Sequence, residues 1–460
     1  MTAKNDSIIK KRRVRLFVFL SVVFAFILMW ACIQPLNSSP DEGMRYDIVR
    51  FIINHGCIPD GRDPEIRNQI WGISYAFYPI ISYMIMAIPA KIVSLFTTDA
   101  FACVVAARVV NAIFGTITAY LVFRISEMLF CGRIKYLFTI LIVFLPEVIF
   151  VQSYVNSDAM ALLATAWIIY AWIRAIREGW TWRICIHLSF AIAMCALSYY
   201  NAYGFIICSI IFFFTTIIAG NKEKNKSKYV ISRTVFIVVL VLALAGWWFV
   251  RNYILYGDFT GWNITTQYSE MYAMDGYKPS QRDNLAKNGV DFFKLLALSE
   301  NGSAPWIIRV IIGFIGTFGY LNIYMPKQLT AVYLLIIGIG AVGFFLSLRG
   351  IFNIKASDED KSKLSKTGIF NWCMLIAIII TFVFLVYYNL YSDLQAQGRY
   401  LIPMTIPFMY FVALGIQRLI NSFVKNQKTK NIIYSTICLL LIVCTVLVYF
   451  ITVYPAYTSL

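Results

Sequence analysis

Charged residues are scarce in this sequence, and the acidic ones are fewer than the basic ones. Only 14% of the 460 residues are Asp, Glu, Lys or Arg, whereas 60% are hydrophobic, and the mean hydropathy is +0.70. Soluble domains carry about 25% charged residues, so this composition excludes an ordinary soluble protein. The apolar residues form blocks of about 18 to 25, the length that crosses about 30 Å of hydrocarbon as a helix. We therefore predict an all-α polytopic membrane protein.

The sequence also lacks a disulfide framework and a cleavable signal peptide. All cysteines except Cys57 lie in or beside apolar blocks, and a bridge between Cys32 and Cys57 is the pairing that stays open. The basic N-terminus precedes an apolar run that is too long for a signal-peptide core and has no clear cleavage site. This pattern predicts an uncleaved first helix.

The net charge of +17 does not indicate nucleic-acid binding. Lys and Arg lie in short loops between apolar blocks, where they act as topology signals. Thirteen apolar blocks are present, but thirteen crossings would place the basic loop 221–228 outside, although a basic N-terminus predicts a cytoplasmic start. The conflict disappears if 73–96 and 306–325 are juxtamembrane helices at the outer interface. About 11 transmembrane helices, within a range of 11–13, are then expected, with the N-terminus cytoplasmic.

This topology divides the chain into three parts. Residues 1–255 form a predicted catalytic transmembrane module, which includes a first outer loop at 36–98. Residues 256–327 form an outer loop and an interfacial helix, and loop 256–305 is expected to cover the site as a lid. Residues 328–460 supply the C-terminal transmembrane helices. No clear inverted repeat relates the two halves, which weakens a transporter interpretation.

The few ionisable residues at membrane depth gather on the outer side in this topology. An ionisable group there costs about 2.5 to 3.5 kcal/mol on insertion scales, so a cluster indicates a functional site. The cluster comprises Asp41, Glu42, Arg108, Glu147, Asp158, Arg251, Asp393 and Arg399.

Structural roles are the alternatives for most of this cluster. Asp158 could serve only the first turn of its helix, with Asn156 or Ser157 as a cap, and the arginines at helix ends could extend to lipid headgroups. Arg108 and Glu147 could form a structural ion pair. Asp41 and Glu42, in "SSPDE", are the hardest to explain as a helix cap alone.

Several stretches resemble the GT-C superfamily of lipid-linked-sugar glycosyltransferases, which includes protein O-mannosyltransferases and the lipid A aminoarabinose transferase. The stretch "PDEGMRYDIVRFIINHGCIP" is similar to their first external loop, and "QGRYLIP" resembles a late motif of a bacterial branch that begins with Pro-Asp-Glu. The segments "AAR", "LPEVIFVQSYVNSDAM" and "GWWFVRNY" match further motifs in order. Two features depart from the family: Arg45 and Tyr46 stand where the branch often has His, and "KPP" is absent from 70–80.

The resemblance implies a GT-C-like fold and roles for particular residues. Asp41, Glu42 and Asp158 would be the catalytic carboxylates, with Asp41 as the base. Arg399, and after it Arg251, would bind the donor phosphate, because guanidinium holds phosphate oxygens through two hydrogen bonds. Supporting roles would fall to Arg45, Arg108, Glu147, Asn156 and Tyr400.

Burial at a partly dry interface predicts a raised pKa for Asp41, and Glu42 would act in the same direction. No cofactor is certain. A divalent cation, Mg or Mn, held by Asp41 and Asp158 is one way to stabilise the leaving phosphate, and arginine is the other.

The predicted function is that of an inverting glycosyltransferase that uses a polyprenyl-phosphate-linked sugar. The acceptor would be a hydroxyl of an envelope glycan, lipid or protein on the outer face of a bacterial plasma membrane. The alternatives are a polysaccharide polymerase or ligase with a pyrophosphate-linked donor, and a flippase or transporter of lipid-linked sugars. The partners expected are donor, acceptor and membrane lipids, without nucleic acid.

Overall fold

The structure, a computed structural model, describes residues 2–220, 226–282, 284–299, 302–353 and 365–459. Most of the predicted cytoplasmic loops 221–228 and 355–366 lies outside these ranges. The described chain is almost entirely helical, which confirms the predicted all-α class. Its one sheet is a two-stranded antiparallel hairpin of β1 (Thr317–Phe318) and β2 (Ile323–Tyr324), in which Thr317 lies opposite Tyr324.

Helices follow one another along the whole chain. The first ten are α1 (Thr2–Ile33), α2 (Glu42–His55), α3 (Ile81–Ser94), α4 (Ala100–Leu129), α5 (Ile134–Val143), α6 (Pro146–Val151), α7 (Asp158–Glu178), α8 (Trp182–Ala196), α9 (Gly204–Gly220) and α10 (Lys226–Val241). The others are α11 (Trp247–Tyr256), α12 (Trp262–Tyr272), α13 (Phe292–Ala297), α14 (Trp306–Gly316), α15 (Lys327–Phe345), α16 (Leu348–Ile351), α17 (Lys366–Tyr391), α18 (Thr405–Phe423), α19 (Gln427–Val448) and α20 (Tyr454–Thr458). Short 3-10 helices occur at Pro64–Ile66, Tyr75–Phe77, Tyr200–Ala202 and Gly398–Met404, and π-helical turns at Leu242–Gly246 and Tyr449–Val453.

Nine helices in the described ranges are long and apolar enough to cross a membrane. They are Lys10–Ile33, Ala100–Leu129, Asp158–Glu178, Tyr200–Ala219, Lys226–Tyr256, Lys327–Phe345, Lys366–Tyr391, Gly398–Phe423 and Gln427–Thr458. The two π-helical turns continue α10 into α11 and α19 into α20. Two more of the eleven predicted crossings are the shorter apolar helices α5 and α8. The chain is a multi-pass membrane protein, and the exact number of crossings stays a prediction.

The two blocks expected at the interface form short helices. At about 1.5 Å per residue, α3 with 14 residues is about 21 Å long. Helix α14, with 11 residues, is about 17 Å long. Both lengths fall short of the roughly 30 Å hydrocarbon core. The lengths agree with helices that do not cross alone.

Contacts between helix ends follow the predicted alternation of crossings. The Arg12 side chain, near the start of α1, pairs with Glu127 at the end of α4. Arg133, just before α5, donates to the Ser435 hydroxyl of α19 over 2.6 Å. Asp41 follows the C-terminal end of α1 and therefore lies at the opposite end of the helix bundle. We call this the site end of the bundle.

Helices α15 and α18 approach one another closely through glycine. A Cβ atom on Gly415 would lie 1.8 Å from the Gly340 carbonyl oxygen, and one on Gly343 would lie 2.0 Å from the Gly415 carbonyl oxygen. Small residues that allow backbone contact are a common way to pack helices in membranes. The ten cysteines are all free thiols, so the Cys32–Cys57 bridge that the spacing left open is absent.

Candidate active site

Asp41 lies in a cavity of about 220 Å³ at the site end. The residue directly precedes α2 and adopts a left-handed backbone conformation, with φ of 59°. Few residues other than glycine take this conformation, although Asp and Asn do so more readily than most. Its side chain retains 31% of its exposure. This arrangement places a carboxylate at the cavity wall without burying it completely.

Arg399 reaches Asp41 from the opposite part of the chain. It follows Gly398, whose missing side chain lets the 3-10 helix Gly398–Met404 lie against α14; a Cβ there would be 1.8 Å from the Phe314 nitrogen. The Arg399 Nη2 atom donates to Asp41 Oδ2 over 2.8 Å. Its Nη1 atom lies 3.3 Å from the Tyr154 hydroxyl. Arg399 is buried and still lines the cavity.

Arg45 forms a second cationic contact with Asp41. It lies four residues further on, one turn of α2, so both side chains share one helix face. Its Nη2 atom is 3.6 Å from Asp41 Oδ2, and its Nη1 atom is 3.3 Å from Asp158 Oδ2. The guanidinium lies 5.0 Å from the centre of the Tyr75 ring. The buried Arg45 Nε has no hydrogen-bond partner, although a buried donor is normally satisfied.

The electrostatic surroundings of Asp41 differ from the sequence-based expectation. Burial raises the pKa of Asp41, but Arg399 and Arg45 lower it more, and the pKa lies below its usual value. We therefore expect Asp41 to be ionised at neutral pH. The expectation of a raised pKa was wrong because the sequence does not show that two arginines converge on this carboxylate.

Glu42 points away from the cavity, although it is adjacent to Asp41. The Arg108 Nε and Nη2 atoms donate to its two carboxylate oxygens over 2.8 and 2.7 Å. Both side chains are completely buried, and the Val155 backbone N–H also donates to Glu42 over 3.0 Å. Arg108 further donates to backbone carbonyls at the end of α1. This pair ties together α1, α2 and α4.

The remaining candidate acids lie close to the site without lining the cavity. Asp158 begins α7 and is joined to the site through Arg45. Asn156 caps α7, because its side-chain oxygen accepts from the Ala159 N–H over 3.1 Å. Glu147 is buried and accepts from the Thr317 N–H over 3.0 Å. The structure does not bring Glu147 and Arg108 together as the ion pair considered above.

Arg251, the second predicted phosphate ligand, is not part of the cavity. Its Nη2 atom donates to the Pro59 carbonyl over 2.7 Å, and its guanidinium lies 4.8 Å from the Trp248 ring centre. Arg251 lies near the end of the long apolar helix Lys226–Tyr256, and this position led to its prediction as a site residue. Its direction from α11 leads it to the first loop instead, and Arg45 occupies the position beside Asp41.

Aromatic side chains, most of which the sequence did not single out, form half of the cavity lining. They are Tyr75, Tyr78, Tyr83, Tyr199, Tyr200, Trp262, Phe384 and Tyr388, together with the predicted Tyr400. The Tyr199 and Tyr400 rings are stacked with centroids 6.3 Å apart. The clusters "SYAFYP" and "SYYNAYG" lie in connections at the site end, a signal that could have drawn attention to them.

The donor set does not fit the divalent cation considered from the sequence. The Arg45 guanidinium contacts both Asp41 and Asp158, so a cation already lies between the two carboxylates. In the described ranges no group of three or more His, Cys, Asp or Glu side chains could hold a metal ion. Magnesium sites use several oxygen ligands, which these two carboxylates alone do not provide.

Comparison with known proteins places the chain in a family. The family described as "Predicted membrane protein (DUF2142)" matches residues 65–409. The chain belongs to this family. No curated protein matches its sequence. The family description confirms a membrane protein and names no reaction.

Solved structures of GT-C glycosyltransferases have a similar fold. The Archaeoglobus fulgidus oligosaccharyltransferase AglB, in complex with an inhibitory peptide and a dolichol-phosphate, matches with a TM-score of 0.53 and 12% identity, over 97% of this chain and 56% of that one. The same organism's enzyme in complex with Zn and sulfate matches with a TM-score of 0.53 and 15% identity, over 96% and 53%. ArnT from Cupriavidus metallidurans, bound to undecaprenyl phosphate, matches with a TM-score of 0.52 and 11% identity, over 96% and 73%. The chain thus has a GT-C-like fold and spans little more than half of the archaeal enzyme.

Proposed function

We propose that this protein is an inverting glycosyltransferase that acts at the outer face of a bacterial plasma membrane. It transfers a sugar from a polyprenyl-phosphate donor to an acceptor hydroxyl of an envelope glycan, lipid or protein. The observation that carries the proposal is the position of Asp41, a carboxylate at the wall of an aromatic cavity between two buried arginines.

The reaction needs a base for the acceptor and positive charge for the leaving group. The acceptor oxygen attacks the anomeric carbon while Asp41 takes the hydroxyl proton. A bond forms between the acceptor oxygen and the anomeric carbon, and the bond from that carbon to the phosphate oxygen breaks. The polyprenyl phosphate leaves with the electron pair and is stabilised by Arg399 and Arg45. One displacement inverts the anomeric centre.

Donor binding would also strengthen the base. Without a donor, the two arginines lower the pKa of Asp41, which makes it a weak proton acceptor. A phosphate that binds Arg399 and Arg45 offsets their charge, so the pKa of Asp41 rises towards its ordinary value. The base then becomes effective only when the donor is present.

Arg45 takes the place of a divalent cation in this proposal. A guanidinium keeps its charge in a low-dielectric setting and holds phosphate oxygens through two parallel hydrogen bonds. The Arg45 Nε, buried without a partner, is a donor that a phosphate oxygen could satisfy. The reaction therefore needs no Mg or Mn.

The donor class is supported by the cavity and by the fold. AglB and ArnT, which share the fold, were solved with dolichol-phosphate and undecaprenyl phosphate. The tyrosine rings of the cavity offer flat apolar faces and hydroxyl groups, a combination that suits the two kinds of surface on a sugar ring. The cavity has about the volume of seven waters, on the order of one sugar ring.

We propose that loop 256–305 closes this cavity. Trp262, the first residue of α12, lines the cavity and is half-exposed. Asp258 holds this turn, since its carboxylate accepts from the Asn263 N–H over 2.7 Å and from the Thr260 N–H over 3.0 Å.

The predicted catalytic module 1–255 does not contain the whole site, because Arg399 belongs to the segment 328–460.

The decisive experiment replaces Asp41 with Asn in the native host. Asn tolerates the left-handed backbone conformation but cannot accept the acceptor proton. Envelope glycans are compared by mass spectrometry with those of wild type and of a deletion strain, at equal membrane abundance. We expect the Asp41→Asn strain to lack the sugar that the deletion strain lacks.

Asp47→Asn is the matched control, because it makes the same change on α2 at a residue outside the cavity. Asp47 pairs with Arg50 on the other side of the helix. Wild-type glycans in the Asp41→Asn strain, while the deletion strain loses a sugar, would contradict the assigned base.

A second experiment tests metal dependence. Transfer by wild-type membrane vesicles should persist in excess EDTA. If transfer is lost and returns when Mg or Mn is added, the role given to Arg45 is contradicted.

A further inference from the structure

A groove at the other end of the bundle lies outside the proposed reaction. It is bounded by α1, α4 and α5 and encloses about 490 Å³. Helices α1 and α5 both pack against α4, which forms the floor between them. Lys11 and Arg15 line the groove near the start of α1. Asp41 lies beyond the far end of that helix, so roughly 30 Å of helix separates the groove from the site.

Three cations of the groove have no acidic partner among the residues that the structure describes. Glu127 is the acidic residue in its lining, and Glu127 is already paired with Arg12 and lies 3.6 Å from the Arg124 Nε. Lys11, Arg15 and Lys135 have no carboxylate within ion-pair distance in the described part of the chain. Excess positive charge therefore remains at the rim, where an anion would be stabilised.

Polarity changes with depth on each of the three helices. Arg15 is followed one turn later in α1 by Phe19, and Lys135 is followed in α5 by Ile140. On α4, which runs in the opposite direction, Phe123 precedes Glu127 by one turn. Phe19, Phe123 and Ile140 all line the groove below the charged residues. The groove is thus basic at its mouth and apolar within. These two parts complement the anionic headgroup and the apolar chain of an anionic lipid.

We propose that this groove binds one anionic phospholipid. Its phosphate would lie among Lys11, Arg15 and Lys135, and one acyl chain would follow Phe19, Phe123 and Ile140. A solvated basic loop would attract anionic lipids without retaining any of them. A groove with both charge and apolar walls holds headgroup and chain together, so it selects a lipid and not a free phosphate.

The test uses the full-length protein purified in a neutral detergent. Native mass spectrometry counts retained lipids, and thermal unfolding is followed during titration with phosphatidylglycerol, phosphatidylcholine or inorganic phosphate. We expect one phosphatidylglycerol to be retained and to raise the unfolding temperature, with little effect of the other two. Arg15→Gln combined with Lys135→Gln should weaken phosphatidylglycerol binding about thirty-fold, at about 1 kcal/mol per cation.

Lys425→Gln combined with Lys428→Gln is the matched control. It removes two exposed cations outside the groove, Lys425 in the connection between α18 and α19 and Lys428 in the first turn of α19. Equal losses in the two double variants, or equal binding of the two lipids, would overturn the proposal. Protection by inorganic phosphate as strong as that by the lipid would also overturn it. Unfolding in phosphatidylcholine reports whether each variant is folded, and the single variants Arg15→Gln and Lys135→Gln replace the double variant if it is not.

Discussion

Asp41 and Glu42 are adjacent carboxylates of the same chemistry, and the structure gives them opposite surroundings. Glu42 is completely buried, and Arg108 and backbone N–H groups satisfy its oxygens. Asp41 retains 31% exposure and faces a cavity beside Arg399. The comparison shows that an ion pair with every hydrogen bond made is suited to holding helices together. A pair that still faces open space can exchange partners with a substrate.

The largest effect is expected from breaking the fully buried ion pair of Glu42 and Arg108, which we call the closed pair. Arg108→Gln leaves Glu42 buried without its cation, which costs about 3–5 kcal/mol in comparable cases. Thermal unfolding in detergent should show this loss, and expression should fall. We call the ion pair of Asp41 and Arg399 at the cavity the open pair. Arg399→Gln is the matched change there, and it should reduce stability less because water can hydrate Asp41. Equal losses would remove the distinction between the two carboxylates.

The same pair can be tested by removing both charges. Arg108→Met combined with Glu42→Leu should recover much of the stability lost by Arg108→Gln, because the desolvation cost of both ions disappears with their attraction. Thermal unfolding of wild type, the single variants Arg108→Met and Glu42→Leu, and the double variant under one set of conditions measures this coupling. Additive losses would mean that the two residues do not act as a pair.

A somewhat smaller effect, on transfer rate, is expected at the open pair. Arg399→Gln or Arg45→Gln should lower the transfer rate about 10² to 10³-fold, the usual cost of removing one donor that stabilises developing negative charge. The rate is measured in membrane vesicles with the sugar identified through the deletion strain. Arg251→Gln is the control, because that side chain contacts the Pro59 carbonyl outside the cavity. An equal loss with Arg251→Gln would contradict the assignment.

Gly398→Ala should perturb the open pair through its backbone. The added Cβ would lie 1.8 Å from the Phe314 nitrogen, so the segment that carries Arg399 must shift. Overpacking of this kind costs about 1–3 kcal/mol, and transfer should fall as well. Gly338→Ala has open space around it and should be neutral or slightly stabilising in its helix. Unfolding temperature and transfer rate are measured for both.

The smallest effect concerns pH. The folded pKa of Asp41 is depressed, because its arginine neighbours outweigh burial, so its ionic contribution to stability is present above the unfolded value of about 3.9 and is lost as pH falls through the folded value. The difference in unfolding temperature between wild type and Asp41→Asn should therefore be constant near neutral pH and shrink below about pH 4. A difference that grew on acidification would contradict the sign of this shift.

Sequence reasoning named Asp41 and Arg399, which lie in contact in the structure. It gave Arg45 a supporting role and Arg251 the second phosphate-binding role, but Arg45 and not Arg251 lies beside Asp41. Arg251 lies near the end of a long apolar helix, whereas Arg45 lies in the first outer loop, where the GT-C branch that this sequence resembles often has His. A helical interpretation of 42–55 would have favoured Arg45, because it lies one turn after Asp41 on the same face. Sequence reasoning also could not separate Asp41 from Glu42, although adjacent helical positions differ by about 100° in direction.

The sequence pattern alone could not predict which aromatic residues line the cavity together. Tyrosines are abundant in this chain, and most of them serve helix packing or the membrane interface. Tyr75 and Tyr199 lie in two separate connections and Tyr388 lies in the last turn of α17, and nothing in their spacing shows that they converge. Their convergence follows from how the helices pack, which depends on many weak contacts distant in sequence.

The sequence by itself determined the class of the protein and the alternation of its helices. Apolar blocks of the length of a bilayer must form helices, because no other open backbone satisfies its hydrogen bonds in hydrocarbon, and the basic loops predict their direction. The tertiary structure alone decided which charges meet. It closed Glu42 on Arg108, left Asp41 facing the cavity, and brought Arg399 to Asp41 across 358 residues. The residue type fixes the charge of a side chain, and the packing of the helices decides which ion-pair partner lies next to it.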